Sequence, residues 1–274
     1  MTPARFDPEI FHAVWRDRVA SLLPWPGDTG RLDARPIVYF QLLHDRGLLS
    51  AGKHLMDLGC GVSAVGAVAR GLGMEVTLVD DFGGGGGVEL GNADPARRLM
   101  EAWRTQLGIR FVQLNFIEQP LPLPSGSVDV ITCFHSLEHW HHSPKRLFQE
   151  ICRVLRPGGY LIIAAPNAAN LRKRLAVPVG RNIGSTLEEW YHKGDPVFRG
   201  HVREPIVRDL HRLLECNNFQ VVTTHGRNFI GRYSIALRFL PKPFMKWIAT
   251  AADSVLRFFP TLCSDIHVTG RKRS

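Results

Sequence analysis

The chain has 274 residues, of which 45% are hydrophobic and 22% charged, and its formal net charge is +9. This composition is typical of a globular protein and excludes a disordered chain or a coiled coil. The charge is uneven, because the first 170 residues hold 16 Lys/Arg and 17 Asp/Glu whereas the remaining 104 hold 18 and 8. An acidic or phosphorylated partner, or an anionic membrane surface, would therefore meet the last hundred residues.

Several classes of protein are excluded by simple patterns. The first residues show no apolar segment behind a basic tip, as a signal peptide would, and no run of about 18 apolar residues predicts a membrane-spanning helix. The cysteines are odd in number, widely spaced and without a C-x-x-C pair: Cys60, Cys133, Cys152, Cys216 and Cys263. This excludes a disulfide scaffold and a cysteine-rich zinc module, and it favours the reducing cytoplasm.

In chain order, residues 1–52 are predicted to be a helical lead-in that begins at Asp7-Pro8 and has a second helix near 36–46. Strands and helices then alternate through the predicted cofactor-binding core, residues 53–166. The predicted strands are 53–57, 75–79, 109–114, 128–133 and 160–165, and the predicted helices are 63–70, 95–107 and 144–155. Such alternation predicts an α/β fold with a doubly wound, mostly parallel, Rossmann-like sheet of about seven strands.

The basic part of the chain is predicted to continue with an insertion at 167–202 and a C-terminal part at 203–274 that completes the sheet. This last part contains a predicted helix at 204–216, strands at 219–224 and 266–271, and an amphipathic helix at 243–259. The amphipathic helix is a candidate for peripheral contact with the inner face of the membrane, although packing against the sheet or a second subunit is commoner. A homodimer is kept as an alternative to a monomer.

A ligand site is predicted where the first core strand ends in D-x-G-x-G, at Asp57, Gly59 and Gly61. Glycines allow the backbone to approach a ligand closely, and Asp80 at the end of the next strand can accept hydrogen bonds from ribose hydroxyls. The glycine spacing also permits NAD, but the Asp57 carboxylate would repel a pyrophosphate. S-adenosylmethionine has no phosphate and carries two cationic groups, so it suits this carboxylate better.

Five segments together resemble the class I S-adenosylmethionine-dependent methyltransferases. They are DLGCG (57–61), VDD (79–81), QLN (113–115), LPLPSGSVDVITCFHSLEHW (121–140) and LRPGGYLIIAAPN (155–167). The resemblance implies the class I fold and S-adenosylmethionine as cofactor. The cofactor-binding residues we assign on this basis are Asp57, Gly59, Cys60, Gly61, Asp80, Asp81, Asn115, Phe116, Phe134 and His135. Asn115 departs from the family, which more often has Asp there, yet its amide oxygen can still accept a hydrogen bond.

A histidine-rich cluster after the fourth core strand has three interpretations. In the first, His135, Glu138 and His139 are catalytic, with His135 or His139 as general base. In the second, the same three residues bind a divalent metal. Ubiquinone-pathway and small-RNA 2′-O-methyltransferases resemble this segment with E-x-x-E-H where this chain has H-x-x-E-H. In the third, the histidines only begin a polar helix. The predicted site includes no metal.

The insertion at 167–202 is predicted to be a substrate lid, because it follows the fifth strand at the carboxyl edge of the sheet. The predicted substrate-binding residues are Trp190, Tyr191, Arg199, His201 and Arg203. Further cations that would grip a phosphate are Arg172, Lys173, Arg174 and Arg181. A solvated charged face is the alternative. The motifs PNAANLRKRL, GRN, EWY and FRGHVRE resemble methyltransferases of bacterial polysaccharide and glycolipid assembly, which implies a sugar hydroxyl as acceptor.

The sequence therefore predicts an S-adenosylmethionine-dependent methyltransferase that acts on a hydroxyl of a glycan or other small molecule, with an acceptor that is anionic. Two alternatives stay open, a nucleic-acid methyltransferase and a non-catalytic cofactor-binding protein. The first is disfavoured because no RNA-binding module and no Asn/Asp-Pro-Pro-Tyr/Phe motif is present. The glycine run at 83–87 is predicted to be either a flap over the cofactor or a solvated loop.

Overall fold

A computed structural model describes residues 5–22, 32, 34–61, 64–82, 94–192, 197–228, 250–251 and 253–274. The described helices are α1 (Pro8–Val14), α2 (Ala34–His44), α3 (Ala64–Gly71), α4 (Asp94–Leu107), α5 (Lys145–Val154), α6 (Leu171–Ala176), α7 (Leu187–His192) and α8 (Val207–Glu215). The described strands are β1 (His54–Leu58), β2 (Glu75–Asp80), β3 (Arg110–Gln113), β4 (Val128–Phe134), β5 (Leu155–Pro166), β6 (Phe219–Arg227) and β7 (Asp265–Lys272).

The seven strands form one sheet in the order β3-β2-β1-β4-β5-β7-β6. Strands β1, β2, β3 and β4 pair in parallel, with Asp57 opposite both Leu78 and Thr132, whereas β6 and β7 are antiparallel. The predicted fold class, a mostly parallel α/β sheet of about seven strands, is confirmed. The strand order reverses beside β1, which is where open α/β sheets bind ligands at the carboxyl ends of their strands.

The chain divides into two compact units. Unit 1 comprises Met1–Cys133, His142–Leu161 and Ser274, and unit 2 comprises Phe134–His141 and Ile162–Arg273. The division passes through β4 and β5.

The core of unit 1 is formed by strands that are apolar on both faces. Every residue of β1 is buried, as is expected of a strand covered on both sides. Helix α3 packs so closely against β2 that a side chain at Gly66 would overlap Leu78. The lead-in is helical at 8–22 and 34–44, and its two parts meet where Phe11 stacks on Phe40 with 4.7 Å between ring centroids. It contacts α3 where the Arg18 guanidinium donates to the Gly71 carbonyl at 3.3 Å.

Unit 2 contains α6, α7, α8, β6 and β7. Its core includes Leu210 and Leu214 of α8 with Phe219, Ile266 and Val268 of the antiparallel pair. Helix α8 begins at Val207 rather than at the predicted residue 204. Pro205 disfavours a helical backbone at Glu204, and the extended Ile206 (φ −104°, ψ 168°) is the N-cap.

Two other predicted elements differ in the structure or lie partly outside the described residues. Strand β5 begins at Leu155 instead of residue 160, because the chain leaves α5 with an extended backbone at Leu155 (φ −73°, ψ 132°). Of the amphipathic helix predicted at 243–259, residues 243–249 lie outside the described residues, and 250–251 and 253–256 are helical. The predicted flap at 83–87 also lies outside them. Among the described helices, none has the length and apolar character required to cross a membrane.

Candidate active site

In unit 1, the turn after β1 brings a buried carboxyl group to the end of the strand. Asp57 is almost fully buried, and its Oδ1 accepts a 2.7 Å hydrogen bond from the Thr132 hydroxyl on β4. Gly59 and Gly61 have φ of 68° and 49°, a left-handed conformation that favours glycine. Added to Gly61, a Cβ would meet no atom within 4 Å among the described residues, so a ligand has room beside this backbone.

Asp80, the last residue of β2, holds the same turn in place. Its Oδ2 accepts from the Gly61 amide and its Oδ1 from the Phe82 amide, each at 2.7 Å. Phe82 also has a left-handed backbone, with φ of 52°. Each carboxylate oxygen has a further lone pair, so Asp80 can accept hydrogen bonds from ligand hydroxyls while it fixes the turn.

The electrostatics of this turn favour a cationic ligand. Burial raises the pKa of Asp57 to about 7, with a smaller opposite effect of the Thr132 hydrogen bond and a further rise caused by Asp80. Burial also raises the pKa of Asp80, and it raises that of the Cys60 thiol. Neither carboxyl group has an ion pair with a described residue. A positively charged group bound here would remove the cost of burying the ionised forms.

The other cofactor residues predicted in unit 1 occupy varied environments. Asn115 follows β3, and its side chain donates to Glu118 at 3.1 Å and accepts from the Ile117 amide at 3.3 Å. Phe116 is buried, and Asp81 is half-buried. Asn115 therefore shapes the turn after β3, and its assignment as a cofactor contact stays a prediction.

In unit 2, His135 lies between two carboxyl groups just after Phe134 ends β4. Its Nδ1 is 3.4 Å from Oε1 of Glu138, and its Nε2 is 3.1 Å from Oδ1 of Asp265. Its backbone is left-handed, with φ of 52°, and its amide donates to the Ala164 carbonyl at 2.8 Å. Burial alone would lower the pKa of His135, but the neighbouring carboxylates of Asp265 and Glu138 outweigh this effect and raise it to about 9. His135 is therefore a cation at neutral pH, which does not suit a general base.

His139 is oriented by backbone carbonyls of a distant segment. Its Nδ1 lies 2.9 Å from the carbonyl oxygen of Arg199 and 3.1 Å from that of Gly200. Carbonyls only accept, so Nδ1 carries the proton and Nε2 keeps a free lone pair. The Val202 and Arg203 amides donate to the Glu138 carbonyl at 2.8 and 3.2 Å, which ties the two segments together.

His201 is brought against His139, with 4.9 Å between the ring centroids. Its Nδ1 lies 2.9 Å from Oε1 of Glu204, and Oε2 of Glu204 pairs with the buried Lys173. The hydrogen bond to Glu204 raises the pKa of His201. Burial alone would raise the pKa of Glu204, but the hydrogen bonds from His201 and Lys173 outweigh it and lower that pKa.

The predicted substrate residues do not all gather at this cluster. His201 does, and Arg199 contributes its carbonyl. Trp190 and Tyr191 are 62% and 76% exposed, and the Arg203 side chain points to Asp209 at 3.6 Å. Lys173, predicted to grip phosphate, instead pairs with Glu204 because Asn170 caps α6 and places the lysine on its buried side.

A cavity of about 440 Å³ within unit 2 adjoins the cluster. His201 and Glu204 line it on one side, and Arg172, Arg181 and Glu189 line it elsewhere. This part of unit 2 can thus receive a small polar molecule next to His201.

Comparisons with known proteins identify the family of the chain. The sequence profile of the family described as "Methyltransferase domain" matches residues 13–224, more than three quarters of the chain. The chain belongs to this methyltransferase family.

A methyltransferase described as a probable S-adenosylmethionine-dependent enzyme of Mycolicibacterium smegmatis is 28% identical over 69% of this chain and 59% of its own length. The ubiquinone biosynthesis O-methyltransferase of Cupriavidus pinatubonensis is 29% identical over 47% of each. The chain thus spans about half the length of these relatives. A crystal structure of Haemonchus contortus phosphoethanolamine N-methyltransferase 2 with S-adenosylmethionine shares the fold, with a TM-score of 0.54 and 13% identity over 97% of this chain and 57% of that one.

S-adenosylmethionine is the cofactor of this methyltransferase. The cationic groups of the cofactor suit Asp57, which is buried and has no ion pair with a described residue. The open space beside Gly61 leaves room for the cofactor to lie against the backbone. Sequence reasoning missed Asp265, which pairs with His135 across 130 residues of sequence, and Thr132, which holds Asp57. Only the fold reveals either contact. Thr132 lies within the matched segment 121–140, but its place opposite Asp57 follows from the pairing of β1 with β4, and Asp265 lies outside every matched segment.

Proposed function

We propose that this methyltransferase transfers a methyl group to a hydroxyl oxygen of a glycan or other small molecule, with His139 as the proton acceptor. The cofactor supplies a methyl group that is already activated by the sulfonium. The chain has to hold the acceptor in line and take its proton, since a neutral hydroxyl is a weak nucleophile.

The tautomer of His139 carries this proposal. Its Nδ1–H is held by the Arg199 and Gly200 carbonyls, so Nε2 is a fixed lone pair at the end of β4. His135 is unsuited to this role because Asp265 and Glu138 keep it protonated. An amine acceptor needs less help of this kind, so an oriented imidazole supports oxygen as the acceptor atom. The name of the ubiquinone O-methyltransferase relative is consistent with this choice.

The acceptor is further proposed to carry an anionic group. The cavity beside His201 presents Arg172 and Arg181, whose guanidinium groups have no hydrogen-bond or ion-pair partner among the described residues and can bind a phosphate or carboxylate. The charge of +10 over residues 171–274 supports the same choice. Nucleotide-linked and lipid-linked sugars combine a hydroxyl with such a group.

The test is transfer of labelled methyl from S-adenosylmethionine to panels of nucleotide-linked sugars, lipid-linked sugars and phenols, with the product atom assigned by NMR. His139→Gln should lower kcat by about 100-fold or more while the affinity for S-adenosylhomocysteine stays within twofold. His192→Ala, which removes an exposed histidine of α7, is the control and should leave kcat unchanged. Methyl transfer to nitrogen, or an unaffected His139→Gln enzyme, would contradict the proposal.

A further inference from the structure

We propose that Glu138, His139 and His201 form a binding site for one divalent transition-metal ion. Binding of the ion does not depend on the proposed function. Its role, activation of the acceptor hydroxyl, rests on the O-methylation proposed above. With the ion bound this role replaces that of His139 as the base, because a ring nitrogen that binds the ion cannot also accept a proton.

The three side chains offer ligand atoms within 4.8 Å of one another, and all three belong to unit 2. Glu138 is only 1% exposed, and its Oε2 has no hydrogen-bond partner among the described residues. A buried carboxylate oxygen without a donor is costly unless a cation binds it. The unpartnered oxygen therefore points to a ligand that brings positive charge.

The two histidines are prepared as ligands by the hydrogen bonds of their other ring nitrogens. Nδ1 of His139 donates to backbone carbonyls, and Nδ1 of His201 lies 2.9 Å from the Glu204 carboxylate. Histidines that bind metals almost always donate their second ring nitrogen to a carbonyl or a carboxylate, because this fixes the tautomer and the ring orientation. Each Nε2 is then the nitrogen available to an ion.

The motif H-x-x-E-H suggests His135, Glu138 and His139 as metal ligands, but the geometry indicates a different set. Both ring nitrogens of His135 lie against carboxyl groups, Nε2 at 3.1 Å from Asp265 and Nδ1 at 3.4 Å from Glu138. His135 is thereby engaged as an ion-pair partner. His201, which lies 63 residues beyond Glu138 near the end of the insertion, takes its place.

Two imidazoles and one carboxylate are the ligand set of open, catalytic sites for Zn²⁺, Mn²⁺, Fe²⁺ or Co²⁺, and they leave positions for oxygen ligands. His201 also lines the cavity proposed for the acceptor. An ion at this place would bind an acceptor hydroxyl and lower its pKa, so that the proton leaves to water. The oxygen then keeps the electron pair that forms the bond to the methyl carbon, and the cofactor sulfur takes the pair of the broken C–S bond.

The test is titration of Co²⁺ into the full chain after treatment with EDTA, followed by calorimetry and by visible absorption of the bound ion. We expect one Co²⁺ per chain, displaced by Zn²⁺, and an affinity at least 100-fold weaker in Glu138→Gln and in His201→Ala. His192→Ala is the control and should bind like the parent. Unchanged affinity for S-adenosylhomocysteine will show that the variants fold.

The outcomes separate the two proposals. Absence of stoichiometric Co²⁺ binding, or equal binding by the parent and both variants, overturns the metal site. If methylation of a hydroxyl acceptor also persists in EDTA, the proposed function stands with His139 as the base. Stoichiometric binding that both variants lose, without any O-methylated product, supports the metal site and contradicts the proposed function.

Discussion

The two units bury carboxyl groups in opposite electrostatic settings. In unit 1, Asp57 and Asp80 have pKa values raised mainly by burial, and neither forms an ion pair with a described residue. In unit 2, Glu204 lies between His201 and Lys173, and its pKa is lowered. The first arrangement costs stability until a cation binds, whereas the second is neutralised by the chain itself.

This difference indicates which buried carboxyl groups have no compensating cation from the chain and are available to a charged ligand. A buried carboxylate that destabilises the fold is a candidate for binding or catalysis, because activity often needs a destabilised site. Asp57 meets this description in unit 1. In unit 2, Glu138 pairs with His135 through Oε1, and its Oε2 is left without a hydrogen-bond partner among the described residues. The carboxyl groups that pair internally, such as Glu204, instead orient other side chains.

The largest expected effect is that two carboxyl-to-amide substitutions change the free energy of unfolding in opposite directions. Glu204→Gln leaves Lys173 buried without its anion and should lower the free energy of unfolding by about 3 kcal/mol, a fall in Tm of about 6 to 12 °C. Asp57→Asn should raise it by about 1 kcal/mol at pH 8, because the folded state no longer holds an ionised buried carboxyl group. Thermal unfolding without cofactor measures both.

The gain from Asp57→Asn has a defined pH range. The folded pKa of about 7 lies above the unfolded value near 4, so ionisation of Asp57 costs stability progressively from pH 4 to 7. The gain should therefore be absent near pH 4. Glu215→Gln, an exposed change at the end of α8, serves as the control with an effect within about 0.5 kcal/mol. Loss of stability in both Glu204→Gln and Asp57→Asn would refute the comparison.

The second expected effect concerns cofactor affinity. Asp57→Asn removes a charged acceptor for the ammonium group of the ligand, worth about 1.5–3 kcal/mol, so the Kd of S-adenosylhomocysteine should rise about 10- to 150-fold. Calorimetry will measure it, with Asp45→Asn, an exposed acid after α2, as the matched control. A variant that is more stable yet binds as tightly as the parent would show that Asp57 serves no ligand.

The same contrast explains what could be predicted from the sequence. Asp57, Gly59 and Gly61 lie within five residues, and strand-turn-helix geometry fixes them wherever the motif occurs. The cluster in unit 2 joins residues 135–139, 201–204 and 265, so only the register of the fold decides which side chains meet. The sequence identified His201 but not its contact with His139, and it assigned Lys173 to a ligand because burial of a lysine on a six-residue helix leaves no periodic signal.

The smallest expected effect is a pH dependence that unit 1 alone should show. With a pKa of about 7, Asp57 is about one-tenth ionised at pH 6 and nine-tenths ionised at pH 8. The ligand ammonium group stays protonated over this range and prefers the ionised form. Affinity for S-adenosylhomocysteine should therefore rise about tenfold from pH 6 to pH 8, with release of about half a proton on binding at pH 7. Calorimetry in two buffers of different ionisation enthalpy measures that release.

Asp80 also has a raised pKa, and the Asp57→Asn variant separates the two groups. A tenfold rise in affinity that persists in the variant assigns the titration to Asp80, whereas an affinity that does not change with pH assigns it to Asp57.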